Sequence, residues 1–267
     1  MGWKTWIGSL SVAGIATLLY GGMYESDRLT AETPTLTLPH WPHALAGYRI
    51  GVLSDTHVRD RETRVLTKAA CHWLVEQDPN MVVLTGDHVA YWKDHAGEWL
   101  EVALSPLKAL EGRVLAVPGN HDYCGGPVEN LVPIFERLGI RLLRNQAWVQ
   151  DGIQWIGVDS AMEAKADPFT PIWEGDPTLP TVVIWHEGDA VDLLPRGFEL
   201  MISGHSHGGQ FTTPWGWAPM TTEMGSKYLR GFFPEASTPL YVSRGIATTG
   251  PPARLFCRPE VTVLTLR

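Results

Sequence analysis

Residues 114–122 read VLAVPGNHD: four apolar residues, a proline and a glycine, then an amide, an imidazole and a carboxylate. A short apolar run closed by Pro and Gly is the pattern of a strand buried on both faces. The same grammar recurs along the chain, in YRIGVLSDTH (48–57), MVVLTGDH (81–88), TVVIWH (181–186) and LMISGHSHGG (200–209). Segments of helical spacing lie between the early strands. Residues 63–77 place Val65, Leu66, Ala69, Ala70, Trp73 and Leu74 on one face. Residues 99–110 predict a second helix that Pro106 bends or ends, and residues 128–138 a third. Strands alternating with helices predict an α/β fold. Further strands are expected at 153–158, at LYVSRG (240–245) and at VTVLTL (261–266), with β-structure and loops from residue 211 onward. The Pro-rich stretch 167–180 reads as a surface loop. No internal repeat or low-complexity tract interrupts the pattern.

The chain has 267 residues, of which 44% are hydrophobic and 19% charged, which suits one sizeable core and excludes disorder, collagen and coiled coil. A net charge of −8 lacks the basic footprint of a general nucleic-acid binder, so long nucleic acid is not an expected partner. Three cysteines, Cys71, Cys124 and Cys257, make neither a disulfide framework nor a Cys-based zinc site.

The amino terminus reads as a separate element. Residues 5–24 carry no charge over 20 positions, about the length a helix needs to cross ~30 Å of hydrocarbon. Trp3 and Trp6 at one end and Tyr20 and Tyr24 at the other resemble interfacial aromatic belts. The expected layout is a membrane anchor or signal-anchor over residues 1–28, a linker over 29–46 punctuated by Pro34, Pro39 and Pro42, and a catalytic domain over 47–267. A cleaved signal peptide is the closer rival, without a convincing A-x-A site; a buried helix is the other. Lys4 precedes the run and Glu25, Asp27 and Arg28 follow it, which predicts a single-pass protein of the cell membrane with its catalytic domain extracytoplasmic.

The polar clusters all follow apolar strands, and in open α/β sheets ligands sit beyond the carboxyl ends of the strands. Asp55, His57, Asp87, Asn120, His121, Asp122, His186, His205 and His207 can therefore converge from distant parts of the chain. Carboxylate, imidazole and amide oxygen without thiolate suit Mn, Fe, Zn or Co.

The ordered series D-x-H (55–57), G-D-x (86–88), G-N-H-D (119–122), His186 and G-H-x-H (204–207) resembles the calcineurin-like metallophosphoesterases over residues 48–267. The string GHSHGGQ (204–210), with SRG (243–245) and the CRPE-VTVLTL ending, is similar to their bacterial membrane-associated phosphodiesterase branch. The resemblance implies a four-layer α/β/β/α sandwich with two central mixed sheets. It implies two divalent metal ions, with Mn2+ the expected species. One would take Asp55, His57, Asp87 and His207, and the other Asp87, Asn120, His186 and His205, with Asp87 bridging. It implies phosphodiester or pyrophosphate hydrolysis by a hydroxide shared between the ions. His121 would be the general acid, with Asp122 holding its ring. The chain departs from the family pattern after His186, where Glu187-Gly188-Asp189 replaces a proline-containing turn, and after Asp87, where the usual second polar residue is missing.

Other residues read more plainly. His88 could line the pocket; His72 and His95 match no ligand position, and His40 and His43 read as surface residues of the linker. Cys71 reads as helix packing and Trp185 as core. Cys124 lies near the site without a feature that makes it reactive. Trp215 and Trp217, in a Pro/Gly-rich loop, read as a surface apolar patch. With the anchor, that patch suits a lipid or a lipid-linked phosphoester, and the resemblance to the bacterial branch implies a substrate of the UDP-2,3-diacylglucosamine type. A nucleotide phosphatase or nuclease with the same centre, and a noncatalytic metal-binding scaffold, are the alternatives.

Overall fold

The computed structural model describes residues 20–267. Most of the predicted anchor, residues 1–19, lies outside the described residues; among those described, no helix is long and apolar enough to cross a membrane.

Two mixed sheets pack face to face. The first runs in the order β1 (Thr30–Glu32), β13 (Glu260–Leu266), β3 (Arg49–Leu53), β4 (Met81–Leu84), β5 (Val114–Ala116), β6 (Ile140–Leu142). β3 to β6 are mutually parallel, and β13 runs antiparallel to β3. The second sheet runs β11 (Gly231–Phe233), β12 (Leu240–Val242), β10 (Leu200–Gly204), β9 (Thr181–Glu187), β8 (Ile153–Gly157), β7 (Gln146–Gln150). Its four inner strands are parallel and its two edge pairings antiparallel.

The period-2 alternation of each strand divides its apolar residues between layers. Ile50 and Val52 of β3, Val83 of β4, Leu115 of β5, Val182 and Ile184 of β9 and Ile202 of β10 fill the space between the sheets. Leu53, Val82, Leu84, Val114 and Ala116 face the other way, onto the helices. Those helices are α1 (Arg61–Gln77), α2 (Ala96–Leu104) and α3 (Leu131–Leu138). α1 starts at Asp60, whose Oδ1 accepts the Thr63 amide at 2.8 Å in a capping box, and stops at Asp78 in the left-handed region. The predicted helix at 99–110 is split: α2 ends at Leu104, and Pro106 opens a 3₁₀ segment, Ser105–Leu110.

Sheet two covers its outer face thinly. Val183, Trp185 and Met201 pack there against the 3₁₀ turn Gly188–Leu193, the loop residue Met224 and Phe233 of β11. The expected fourth, helical layer is thus reduced to short turns and one short helix. That helix, α4 (Phe169–Glu174), falls in the stretch read as a loop, where Asp167 Oδ1 accepts the amides of Phe169 and Thr170.

The stretch read as a linker is built into the first sheet. β1 pairs with the start of β13, and β2 (Thr35–Leu36) pairs with its end. Leu36, Leu38 and Trp41 are buried between the sheets. Proline is tolerated because it sits between the two short strands, where its carbonyl still serves: Pro34 accepts the Thr265 amide at 2.9 Å.

Candidate metal centre

The carboxyl ends of β3, β4, β5, β9 and β10 all open on one edge, and each delivers side chains to a common point. Asp55 and His57 follow β3, Asp87 follows β4, Asn120 and His121 follow β5, His186 is the next-to-last residue of β9, and His205 and His207 follow β10. Regular strand geometry would send these side chains alternately up and down. Instead Asp55, His57, Asp87, His205 and His207 adopt left-handed backbones, with φ from 36° to 70°. Such conformations cost about 1–3 kcal/mol each and persist only where the surroundings impose them. The surroundings are crowded: a Cβ on Gly119 would strike the Asp87 carboxylate, and one on Gly204 would strike Ser54 and Asp55. Both glycines are needed because backbone and carboxylate meet at van der Waals contact.

The side chains form two groups that share one oxygen. Asp87 Oδ2 lies 3.3 Å from His57 Nε2 and 3.3 Å from His186 Nε2. On one side, His207 Nε2 is 3.1 Å from His57 Nε2 and 3.5 Å from Asp55 Oδ1. On the other, His205 Nδ1 is 3.2 Å from His186 Nε2. All six residues are buried.

Neighbouring groups set which ring nitrogens face inward. His186 Nδ1 donates to the Thr85 carbonyl at 2.7 Å, His207 Nδ1 to Ala247 at 3.1 Å and His205 Nε2 to Glu223 at 2.7 Å. With those protons turned outward, the inward nitrogens are the ones left to hold a metal ion or, as at His186, a second proton. Ring nitrogens 3.1–3.2 Å apart beside carboxylate oxygens need a shared proton or a cation among them, and His57 Nδ1, buried without a partner, leaves that ring's tautomer unfixed from outside the site. Asn120 adds a buried Oδ1 without a hydrogen-bond partner, between two residues that touch Asp87: His121 donates its amide to Asp87 Oδ1 at 2.8 Å, and Gly119 packs on the same carboxylate. Seven side chains thus present an N/O donor set that fits two divalent ions sharing Asp87.

Burial lowers the pKa of His57 well below its usual value, and that of His207 to about 4, so both rings are neutral near pH 7. His186 goes the other way: burial disfavours its charge, but the Asp87 carboxylate outweighs it and raises the pKa well above 6.5. Asp87 is held well below the carboxylate range by His186 and His57, against the opposing effect of burial.

His121 stands half-exposed, its ring edge-on to His57 with centroids 4.6 Å apart. Asp122 does not hold that ring. His121 Nδ1 donates to the Ala90 carbonyl at 2.8 Å, which leaves Nε2 directed away from the backbone. Asp122 is fully buried and accepts three amides, those of His88, Val89 and Gly119, at 2.9, 3.2 and 2.9 Å. Two residues in a 3₁₀ turn face different ways, so adjacency in sequence did not become contact. His88 is also structural: its Nε2 contacts the Val117 carbonyl at 2.9 Å and its ring meets Phe135 edge-on. Cys124 is partly covered, and burial raises its thiol pKa. Trp185 lies in the outer core.

Some supporting residues carry no signal in the sequence. Ser54 bonds to Asp55 Oδ2 and receives the Thr85 hydroxyl at 2.6 Å, fixing that carboxylate from behind. Arg254, fully buried, gives its guanidinium to the carbonyls of His207, Arg244, Gly245, Ala247 and Cys257. It clamps the loop after β10 to the chain that holds His207 Nδ1. It is 47 residues from His207 in sequence, and a lone arginine in a Pro-rich loop gives no hint of this.

The chain is similar to known proteins. The calcineurin-like phosphoesterase family model matches residues 48–209. The chain is 28% identical over 261 residues to the uncharacterized metallophosphoesterase YkuE of Bacillus subtilis, covering 95% of this chain and 89% of that one. It is 29% identical over 228 residues to the phosphodiesterase YaeI of Escherichia coli, covering 83% of each. It is 26% identical over 311 residues to the UDP-2,3-diacylglucosamine pyrophosphatase LpxG of Chlamydia trachomatis, covering 94% of this chain and 93% of that one. With a family match over more than half its length and a donor set for two divalent ions, the chain belongs to the calcineurin-like phosphoesterases and is a metal-dependent phosphoester hydrolase.

Proposed function

We propose that the protein is a phosphodiesterase or pyrophosphatase that hydrolyses a lipid-linked phosphoester at a membrane surface. The observation that carries the chemistry is the single oxygen, Asp87 Oδ2, at 3.3 Å from both His57 Nε2 and His186 Nε2. One ion is assigned to Asp55, His57, Asp87 and His207, the second to Asp87, Asn120, His186 and His205, with manganese the proposed metal. Bound there, the two ions supply Lewis acidity to the phosphoryl oxygens and make water acidic enough to react near neutral pH. The chain's own residues do the rest. The carbonyls of Thr85, Ala247 and Glu223 fix the tautomers of His186, His207 and His205, and Ser54 orients Asp55. His121, with Nδ1 tied to Ala90, directs Nε2 toward the leaving oxygen and delivers the proton it needs. No side chain is assigned as a nucleophile.

The diester and pyrophosphate reading is supported by the names of YaeI and LpxG, and LpxG's substrate suggests a diacylated sugar nucleotide. Residues 1–28 are proposed as the anchor, placing the catalytic domain outside the cytoplasm. The test is hydrolysis by the Mn2+-loaded full chain of bis(4-nitrophenyl) phosphate, 4-nitrophenyl phosphate, single-stranded DNA and UDP-2,3-diacylglucosamine. Cleavage of the diester or the pyrophosphate, abolished by chelator, is expected. Turnover confined to the monoester or to DNA would overturn the assignment.

A further inference from the structure

One face of the molecule is apolar where a soluble surface would be charged. Trp215 is 80% exposed, Trp217 61% and Met220 74%, with Tyr20, Tyr24 and Phe256 each between 40% and 49%. Residues 208–222, GGQFTTPWGWAPMTT, contain no charged side chain, and in residues 249–257 the one charge, Arg254, is buried. Exposed tryptophans clustered in this way on a free surface mark an interaction site.

Three segments are bound side by side to make this face. Phe211 bridges to Leu255, and Thr212 donates its amide to Leu255 at 2.9 Å and its hydroxyl to Phe256 at 3.0 Å. Gln210 ties in residues 249 and 251 through both ends of its amide. The turn bearing Trp215 and Trp217 is closed by Thr213, whose amide donates to Trp217 at 2.8 Å. The wide helical turn Gly21–Glu25 docks against the same loop. Arg254 donates its amide to the Gly21 carbonyl, and the Glu25 carboxylate accepts the Cys257 amide at 3.0 Å. The platform is therefore rigidly joined to the point where the apolar run of residues 5–24 enters the folded body.

The occupant follows from that entry point and from the charge at the rim. Arg28, stacked over the Tyr24 ring at 3.6 Å, and Arg258 are exposed beside the face; Arg230 reaches into it to bond the Phe256 carbonyl. Indole and phenol rings beside arginines, at the mouth of an uncharged 20-residue run, suit the headgroup layer of an anionic bilayer. We infer that Trp215, Trp217, Met220, Phe256, Tyr20 and Tyr24 form a membrane-seating face that presses the body against anionic lipid.

The loop that carries Phe256 is bonded, through its buried residues, to the backbone of the metal centre. The Cys257 thiol donates to the carbonyls of His207 and Gly208 at 3.2 and 3.3 Å, and Arg254 to that of His207. Seating would hold the metal centre at a fixed position over the bilayer, which deepens, and rests on, the lipid-linked reading above. A protein free to swing on its anchor alone would not hold that position.

The test uses the full chain in vesicles of phosphatidylglycerol and phosphatidylethanolamine carrying brominated acyl chains, with tryptophan fluorescence as the readout. The Trp215→Ser/Trp217→Ser double variant should lose a component that bromolipid quenches in the wild type. Trp173→Ser, which removes a tryptophan 83% exposed on α4, should lose none. Turnover of a vesicle-embedded phosphodiester should fall about tenfold in the double variant, with bis(4-nitrophenyl) phosphate cleaved as before. Equal quenching in wild type and double variant would overturn the inference. So would an equal fall on both substrates, or a wild-type dimer in detergent that the double variant abolishes, which would assign the face to a second copy. Quenching is read without turnover, so an inactive protein that still shows it would sink the substrate reading and leave the seating face standing.

Discussion

His186 Nε2 faces Asp87 Oδ2 at 3.3 Å, both side chains buried, so a proton and a metal ion compete for the same nitrogen. Because Asp87 raises the pKa of His186 well above 6.5, that ring is protonated at pH 7 in the metal-free protein, whereas His57 and His207 are already neutral. Filling the centre should therefore release about one proton, from His186. Metal affinity should climb roughly tenfold per pH unit below the His186 pKa. Calorimetric titration with Mn2+ in two buffers of different ionisation enthalpy reads the proton count; a count of zero at pH 7 would contradict the assigned protonation.

Asp87 is the one ligand common to both groups. Asp87→Asn keeps its size but removes the charge that lets two cations approach. Metal content should drop below two per chain and diester turnover by on the order of 10³-fold, the equivalent of several kcal/mol of lost charge stabilisation. Elemental analysis beside the rate measurement separates this from misfolding.

His121 and Asp122 are neighbours with separable roles. His121→Ala should keep both ions and lose roughly 10²–10⁴-fold in turnover, with the largest loss on substrates with poor leaving groups. Uniform loss across leaving groups would argue against proton donation.

Asp122→Ala should instead strip the buried amides of His88, Val89 and Gly119 of their acceptor. Each unsatisfied amide costs about 1–3 kcal/mol, so a loss of at least ~3 kcal/mol in urea unfolding is expected. An Asp122→Ala protein of unchanged stability would remove that structural role.

Arg254→Lys tests the clamp over His207. A lysine ammonium cannot reach five carbonyls fanned around a planar guanidinium, so the exchange is not conservative. Stability should fall by on the order of 3 kcal/mol, and the ion assigned to His207 should bind more weakly than the one assigned to His186. Equal weakening at both positions would indicate general loosening.

Local features were legible from residue order. α1 followed from its 3.6-residue spacing, and the strands followed from short apolar runs closed by glycine or polar residues. The donor residues were legible because each sits just past such a strand. What escaped were features whose partners lie far off in the chain. Pro34 and Pro39 suggested a linker, yet β1 and β2 pair with β13 more than 200 residues later. Asp167 caps α4 inside a stretch whose prolines suggested only a loop.

By itself the sequence determined which atoms could bind cations and that parallel strands would carry them to one edge, because apolar period and residue chemistry are properties of neighbours along the chain. Tertiary structure alone decided which atom touches which: that Ala90 and not Asp122 receives the His121 ring, that Arg254 guards the loop of His207, and that Glu25 and Thr212 both bond to the loop of residues 254–257. Those outcomes depend on left-handed turns and on packing between segments as far as 232 residues apart, where no local periodicity leaves a mark.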